Sequence, residues 1–293
     1  MVRIACFVEK YNFLDPNEAK ALQNFKLAAE KKGYSFDFLF KRDISSIPKY
    51  DSVFIRATTD PLYTAYVVSK TAWEHGLKVI DDPKSIQICG NKVHLYSLFR
   101  KFDVPSIPTI FLSKADFHRK KIFEIFELFG KPVVLKAPYT SFSKYVEIVS
   151  CETSFRNVAR KFFRRSHVLI VQAFMPTSFD WRVGVLNDSV LYVCKYTMRK
   201  GKWKHGAKLR GKHKFVWGRT ISLKRDHAPL KLKETALKAA SVVGKGLYGV
   251  DIKEIDHGKY VVVEVNDNPS IYAGYEDLRD RDIYDKIIAH LVS

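Results

Sequence analysis

Gly249-Val-Asp-Ile-Lys-Glu-Ile255 and Tyr260-Val-Val-Val-Glu-Val-Asn266 flank Asp256-His-Gly-Lys259, and the second run continues into Asp267-Asn268-Pro269. Two β-prone runs joined by a short Gly-containing segment predict an antiparallel hairpin. A symmetric turn sets Asp251 opposite Glu264 on one face of the sheet, with Cβ atoms roughly 4.5–5.5 Å apart. Asn266, two residues on, shares that face. The other face carries Val250, Ile252, Val261, Val263 and Val265, which gives the hairpin a side to bury. Two opposed carboxylates repel unless a cation lies between them, and an oxygen-only set of Asp, Glu and Asn suits magnesium at about 2.1 Å. Two solvent-exposed acids on an ordinary hairpin are the plainer alternative, disfavoured because strands are poor in acids and poorer in opposed ones.

Working outward, the opening third alternates strand-like runs with amphipathic stretches. The runs are Val2 to Val8, Phe36 to Phe40 and Ser52 to Ala57; the stretches are Pro16 to Lys32, ending at Gly33, and Pro61 to His75, ending at Gly76. This alternation predicts a small parallel α/β sheet. Asn91 is placed to cap a helix through Phe102, and a first boundary falls near residue 90. Ser113-Lys-Ala-Asp116 reads as a capping box opening a helix to about Phe129. Strands are expected at Pro132 to Lys136, Tyr145 to Val149 and Val168 to Phe174, with a basic helix from Thr153 to Arg165 between the last two. Further strands are expected at Asp180 to Leu186 and Val190 to Tyr196. A helix from Leu230 to about Lys245 precedes the hairpin, and another closes the chain after Asp280. Three units follow, at 1–90, 91–172 and 173–293.

With 293 residues, 46% of them hydrophobic, the chain can build a sizeable core, so disorder is excluded as a class. The first run is a poor signal peptide, and no apolar stretch approaches the roughly 20 residues of a membrane helix. A soluble, cytoplasmic protein without a membrane partner is expected. Cys6, Cys89, Cys151 and Cys194 lie far apart and read as buried free thiols. A net charge of +19 favours anionic ligands without distinguishing nucleotide, acidic peptide and nucleic acid.

The C-terminal motif resembles the ATP-grasp superfamily, most closely its RimK-like carboxylate–amine ligase branch, over roughly residues 80 to 293. Glu264-Val-Asn-Asp-Asn-Pro269 is similar to that branch's E-x-N-x-N-P magnesium signature, with Asp251 as the upstream acid. The resemblance implies an α/β N-terminal (pre-ATP-grasp) domain followed by an α+β ATP-grasp domain of two lobes, with the nucleotide site between them. It implies ATP and magnesium as cofactors, two ions with manganese as a substitute, and Asp251, Glu264 and Asn266 as ligands. Lys92 and Lys136 match the family's phosphate lysines. Gln172, Ala173, Phe174 and Met175 match the adenine-contacting hinge, and Asp180-Trp-Arg182 matches a D-x-R pattern in which the arginine lies near phosphate or the acyl intermediate. Lys195 is expected to join Arg182 in catalysis. The phosphate-covering loop departs from the family, for Ala137-Pro-Tyr-Thr-Ser-Phe-Ser-Lys144 lacks the usual glycines; Ser141 and Ser143 are expected to supply hydroxyls instead.

From Lys195 to Arg225 there are twelve Lys or Arg and no acid. This segment, with Arg199 and Arg210, falls beside the acceptor side in the ATP-grasp layout. An acidic substrate, a solvated basic face and nucleic acid all remain readings of it. Asn268, Ser270, Tyr272 and Glu276 are expected substrate contacts, while Asp277 or Asp280 is placed to cap the last helix. The activity implied is ATP-dependent ligation of a carboxylate to an amine through an acyl phosphate, with an amino acid, acidic peptide or protein tail as substrate. A phosphotransferase on the same site, or a nucleic-acid-binding protein with a vestigial ATP site, stays open as an alternative.

Overall fold

The computed structural model describes residues 1–139, 145–198, 206–208, 215–256 and 258–293, with backbone alone for 206–208 and 215–217. The first strands and helices are β1 (Arg3–Phe7), α1 (Pro16–Glu30), β2 (Ser35–Leu39), β3 (Ser52–Ile55), α2 (Thr64–Glu74) and β4 (Lys78–Ile80). All four strands are parallel, in the order β2-β1-β3-β4, as the alternation predicts. Asp15 starts α1 by accepting from the amides of Asn17 and Glu18, with Pro16 at the first helical position.

Two short helices follow, α3 (Pro83–Gly90) and α4 (Lys92–Lys101), and Asn91 caps the second through the amides of Val93 and His94. A lobe then forms from β5 (Thr109–Ser113), α5 (Arg119–Phe129), β6 (Val133–Lys136), β7 (Val146–Val149), α6 (Glu152–Phe162) and β8 (Val168–Ala173), its antiparallel sheet ordered β5-β8-β6-β7. The expected capping box at Ser113 is not one. Ser113 ends a strand paired with β8, and its hydroxyl receives the Asp116 amide in a turn, so the helix starts later with His118 as its cap. Cys151 is exposed at the start of α6, unlike the other three cysteines, which are buried.

The second lobe contains β9 (Phe179–Leu186), β10 (Ser189–Thr197), the short pair β11 (Gly206–Lys208) and β12 (Phe215–Trp217), β13 (Thr220–Leu223), α7 (Leu230–Ser241), β14 (Leu247–Asp256) and β15 (Lys259–Asn266). Its five-stranded sheet runs β13-β10-β9-β14-β15, and α8 (Ile283–Val292) closes the chain. Neither Asp277 nor Asp280 caps α8. Asp277 accepts from the Gly274 amide and the Tyr284 hydroxyl, and Asp280 accepts from the Arg225 amide.

Asp251 pairs with Glu264, as symmetry of the turn requires, but Val263 is an extra residue on β15, so the next pair is Ile252 with Val262. The bulge reverses which valines face inward. Tyr260 and Val262 join Val250, Ile252 and Val265 in the core, while Val263 turns to the cleft and Val261 stays outside that core cluster. The Pro105 to Ile107 segment zips onto the β15 edge through backbone bonds to Val262. Helices α3 and α4 pack on the second lobe's core, and α8 packs on the N-terminal sheet. Among the described residues no helix is long and apolar enough to cross a membrane.

Candidate functional site

A cavity of about 560 Å³ opens between the two lobes and extends to the N-terminal sheet. Its floor is the alternating face of β9, β14 and β15, where register sets Arg182, Asp251 and Glu264 side by side. Arg182 grips Asp251 with two parallel bonds, Nε to Oδ1 at 2.6 Å and Nη2 to Oδ2 at 2.9 Å. Burial opposes the Arg182 charge, but the Asp251 carboxylate outweighs it and holds the guanidinium protonated. Gly249 carries no side chain where Pro269 and Arg182 crowd in; a Cβ there would lie 2.7 Å from Pro269 and 2.9 Å from Arg182. Asn266 donates its amide to Asp251 Oδ2 and to the Gly249 carbonyl, each at 3.2 Å.

Lys92, the first residue of α4, pairs with Glu264 from beside the floor, and from the roof Lys136 ends β6 as a buried ammonium. Burial works against ionisation of Glu264, yet Lys92 and Lys136 together keep its carboxyl below the usual range. Burial, then the charges of Lys92 and Lys253, bring Lys136 down to about 8 against the pull of Glu264. Lys253 lines the same cleft and bonds to Asp180 at 2.6 Å. Sequence reasoning passed over Lys253, although it follows Asp251 by two on one strand and so shares its face.

At the end of β8 and just beyond it, Ala173, Phe174 and Met175 line the cleft, as does Gln172. Gln172 is 1% exposed and gives its amide to the Thr109 hydroxyl at 2.8 Å, and the Ala173 N–H is taken by the Pro108 carbonyl at 3.1 Å. Ser270 and Tyr272 line the far end. Asn268 is bound on both sides by the N-terminal domain: Arg56 donates to its Oδ1 at 2.6 Å, and its amide donates to the Ala57 carbonyl at 2.7 Å.

Two expected residues are not brought to the cleft. Lys195 pairs with Trp181 and stands on the opposite face of the sheet from Arg182, its ammonium 4.3 Å from the Phe179 ring centroid and 4.5 Å from that of Trp181. Glu276 is 2% exposed beneath the 270–276 loop, where it accepts from the Tyr196 hydroxyl at 2.7 Å and the Tyr272 amide at 2.8 Å. Its link to the site is indirect, since the Tyr196 ring lies under the Arg182 guanidinium at 5.2 Å. Ser141, Ser143, Arg199 and Arg210 lie outside the described residues, as does much of the basic segment.

Among the described residues no three His, Cys, Asp or Glu form a metal cluster. Asp251, Glu264 and Asn266 together offer two carboxylates and one amide, a donor set that fits a magnesium-type ion retaining several waters.

A family model described as the RimK-like ATP-grasp domain matches residues 89–291. Over 296 residues the chain is 25% identical to a glutamate–LysW ligase, ArgX, of Sulfolobus acidocaldarius, covering 99% of this chain and 98% of the relative. It is 24% identical over 279 residues to a probable alpha-L-glutamate ligase of Shewanella loihica, with 89% and 87% covered. Among solved structures, a RimK domain ATP-grasp protein of Sphaerobacter thermophilus matches with a TM-score of 0.70 at 17% identity, covering 100% of both chains. A D-alanine–D-alanine ligase of Bacillus anthracis matches at 0.70 and 15% identity, covering 100% of this chain and 96% of that one. The structural likeness shows the fold, and the family match over residues 89–291 establishes that this chain belongs to the RimK-like ATP-grasp family.

Proposed function

We infer that the ATP-dependent carboxylate–amine ligation carried out by this chain joins the amine of an α-amino acid to a carboxylate on an acidic peptide or protein tail. The observation that carries this reading is the row Arg182, Asp251 and Glu264 with Lys92 paired beside it and Lys136 facing it from the other lobe. Such a row holds crowded phosphate charge and requires no covalent protein nucleophile. Cys89 also lines the cleft, but burial pushes its thiol well above the ordinary range, which keeps it from thiolate chemistry. The relatives named as ligases of glutamate support an amino acid as one substrate. The +19 charge favours an acidic partner for the other.

In the first step an oxygen of the substrate carboxylate attacks the γ-phosphorus of ATP, the bond to the β-phosphate oxygen breaks, and ADP leaves. The amine then attacks the acyl carbon, phosphate departs, and the amine loses a proton. Lys92 and Lys136 neutralise the phosphates, and Arg182, turning from Asp251, stabilises charge on the transferred group and on the acyl phosphate. Magnesium held by Asp251, Glu264 and Asn266 would supply further charge neutralisation and orientation.

The protein is incubated with ATP, magnesium, the twenty amino acids and glutamate-ended peptides, while ADP release and peptide mass are followed. An increment of one amino acid minus water, matched by ADP, is expected. A phosphoryl increment on the peptide would overturn ligation in favour of phosphotransfer.

A further inference from the structure

We propose that Arg56 anchors the free α-carboxylate of the amino-acid substrate at the end of the cleft built by the N-terminal sheet; the inference rests on the ligase reading above. Arg56 directly follows β3, lines the cleft and is 6% exposed. Among the described residues it makes no ion pair. Its Nη1 donates to Asn268 Oδ1 at 2.6 Å and its Nη2 to the Pro269 carbonyl at 3.0 Å, both uncharged acceptors. A guanidinium carries five N–H donors, so these bonds leave it able to hold a carboxylate as well. Glu18 feels the Arg56 charge, but its carboxylate is held by the Asn12 amide at 2.7 Å. A buried cation without a bonded counter-ion is costly, and the cost falls when the ligand brings the anion.

Position decides which carboxylate this is. The one to be activated must reach the γ-phosphorus, and so belongs beside Lys92, Lys136 and Arg182. Arg56 is tied instead to Asn268 and Pro269, two and three residues beyond Asn266, at most roughly 7–10 Å along the chain. One amino acid fits in that interval, its amine toward the reacting carbon and its carboxylate on Arg56. Asn12, Glu18, Thr58 and Tyr272 line the same end, and Glu18 offers an acceptor for the substrate's ammonium.

A purely structural role, clamping the Asn268-Pro269 loop, is the competing account, and one titration separates the two. L-Glutamate, its α-amide L-isoglutamine and its γ-amide L-glutamine are titrated calorimetrically into the full chain with ADP and magnesium present, for wild type and Arg56→Met. Wild type is expected to bind L-glutamate and to lose tenfold or more in affinity for the α-amide. In Arg56→Met, L-glutamate should weaken by that same factor while the α-amide binds as it does to wild type, so the preference vanishes. A preference that survives the substitution, a penalty falling on the γ-amide instead, or no measurable binding of L-glutamate to wild type overturns the proposal. If Arg56→Met fails to fold, Arg56→Lys replaces it, expected to keep part of the preference; a full preference there overturns the proposal equally. Ligated product with an unchanged preference rejects Arg56 and keeps the ligase. An Arg56-dependent preference without ligated product rejects the ligase and keeps the subsite.

Discussion

Glu264 has two tasks, to balance Lys92 and, on our proposal, to hold magnesium, and substitution by glutamine keeps its shape while removing its charge. Losing a metal carboxylate removes several kcal/mol of transition-state stabilisation, so Glu264→Gln should lower ATP turnover about 10²- to 10³-fold. The variant also removes the carboxylate that balances the buried Lys92 ammonium, so its melting temperature should fall, and turnover is compared where both proteins remain folded; full activity there would refute the site. Lys136 makes a second prediction. Its ammonium loses its proton near pH 8 in the ligand-free cleft, so nucleotide affinity should fall as pH rises through about 8, by up to about tenfold per unit. Lys136→Arg keeps its charge and should give a flat profile across pH 7–9.5 in ADP titrations. Stability moves the other way. The folded value lies below the ordinary 10.5, so the unfolded chain holds this proton more tightly and the ligand-free fold gains stability between pH 8 and 10.5.

Among elements, β9 depends on Gly184, because a Cβ there would overlap the ring of Tyr192 across the β9–β10 pair. Tyr192 is fully buried and its hydroxyl reaches the Ser270 carbonyl, so it has little room to move. Gly184→Ala should cost about 1–3 kcal/mol, read as a lower urea midpoint at constant slope. An unchanged midpoint would mean that the ring turns aside freely. Elements of this kind were the most legible in the sequence, since period-two alternation with Gly and Pro punctuation located the parallel sheet and set Asp251 against Glu264. Tertiary pairing hid what remained. The Val263 bulge leaves no mark in composition, β5 was obscured by a serine-led turn signal, and Lys195 follows Arg182 by an odd step across a paired strand, which sends it to the other face. Arg56 meets Asn268 across 212 positions, a distance over which local pattern carries no information.

At the scale of the whole molecule, one core joins parts that the sequence divides at residues 90 and 172, a division we retain as a proposal. Ile4, Cys6 and Phe25 of the N-terminal unit pack in one cluster with Leu186 and Tyr192 of the second lobe and Ile283 to Leu291 of α8. The Phe25 and Tyr284 rings meet edge to face at 4.8 Å. The lobe from β5 to β8 has its own separate cluster, including Leu112, Phe126, Phe155 and Leu169. Removing buried volume from α8 should therefore weaken the N-terminal unit and the second lobe together and spare the other lobe. Ile287 is fully buried, so Ile287→Ala should cost about 2–5 kcal/mol and lower the main melting temperature by roughly 5–15 °C. None of the four tryptophans falls within residues 109–173, and Trp73 and Trp181 stand on α2 and β9, so fluorescence carries no direct signal from the β5 to β8 lobe. Far-ultraviolet circular dichroism reports both parts. The fluorescence midpoint should drop by the full amount while a portion of the dichroism change keeps its wild-type temperature. If the two signals fall together, the β5 to β8 lobe shares the fate of that core, and the cleft between the lobes closes over a single cooperative unit.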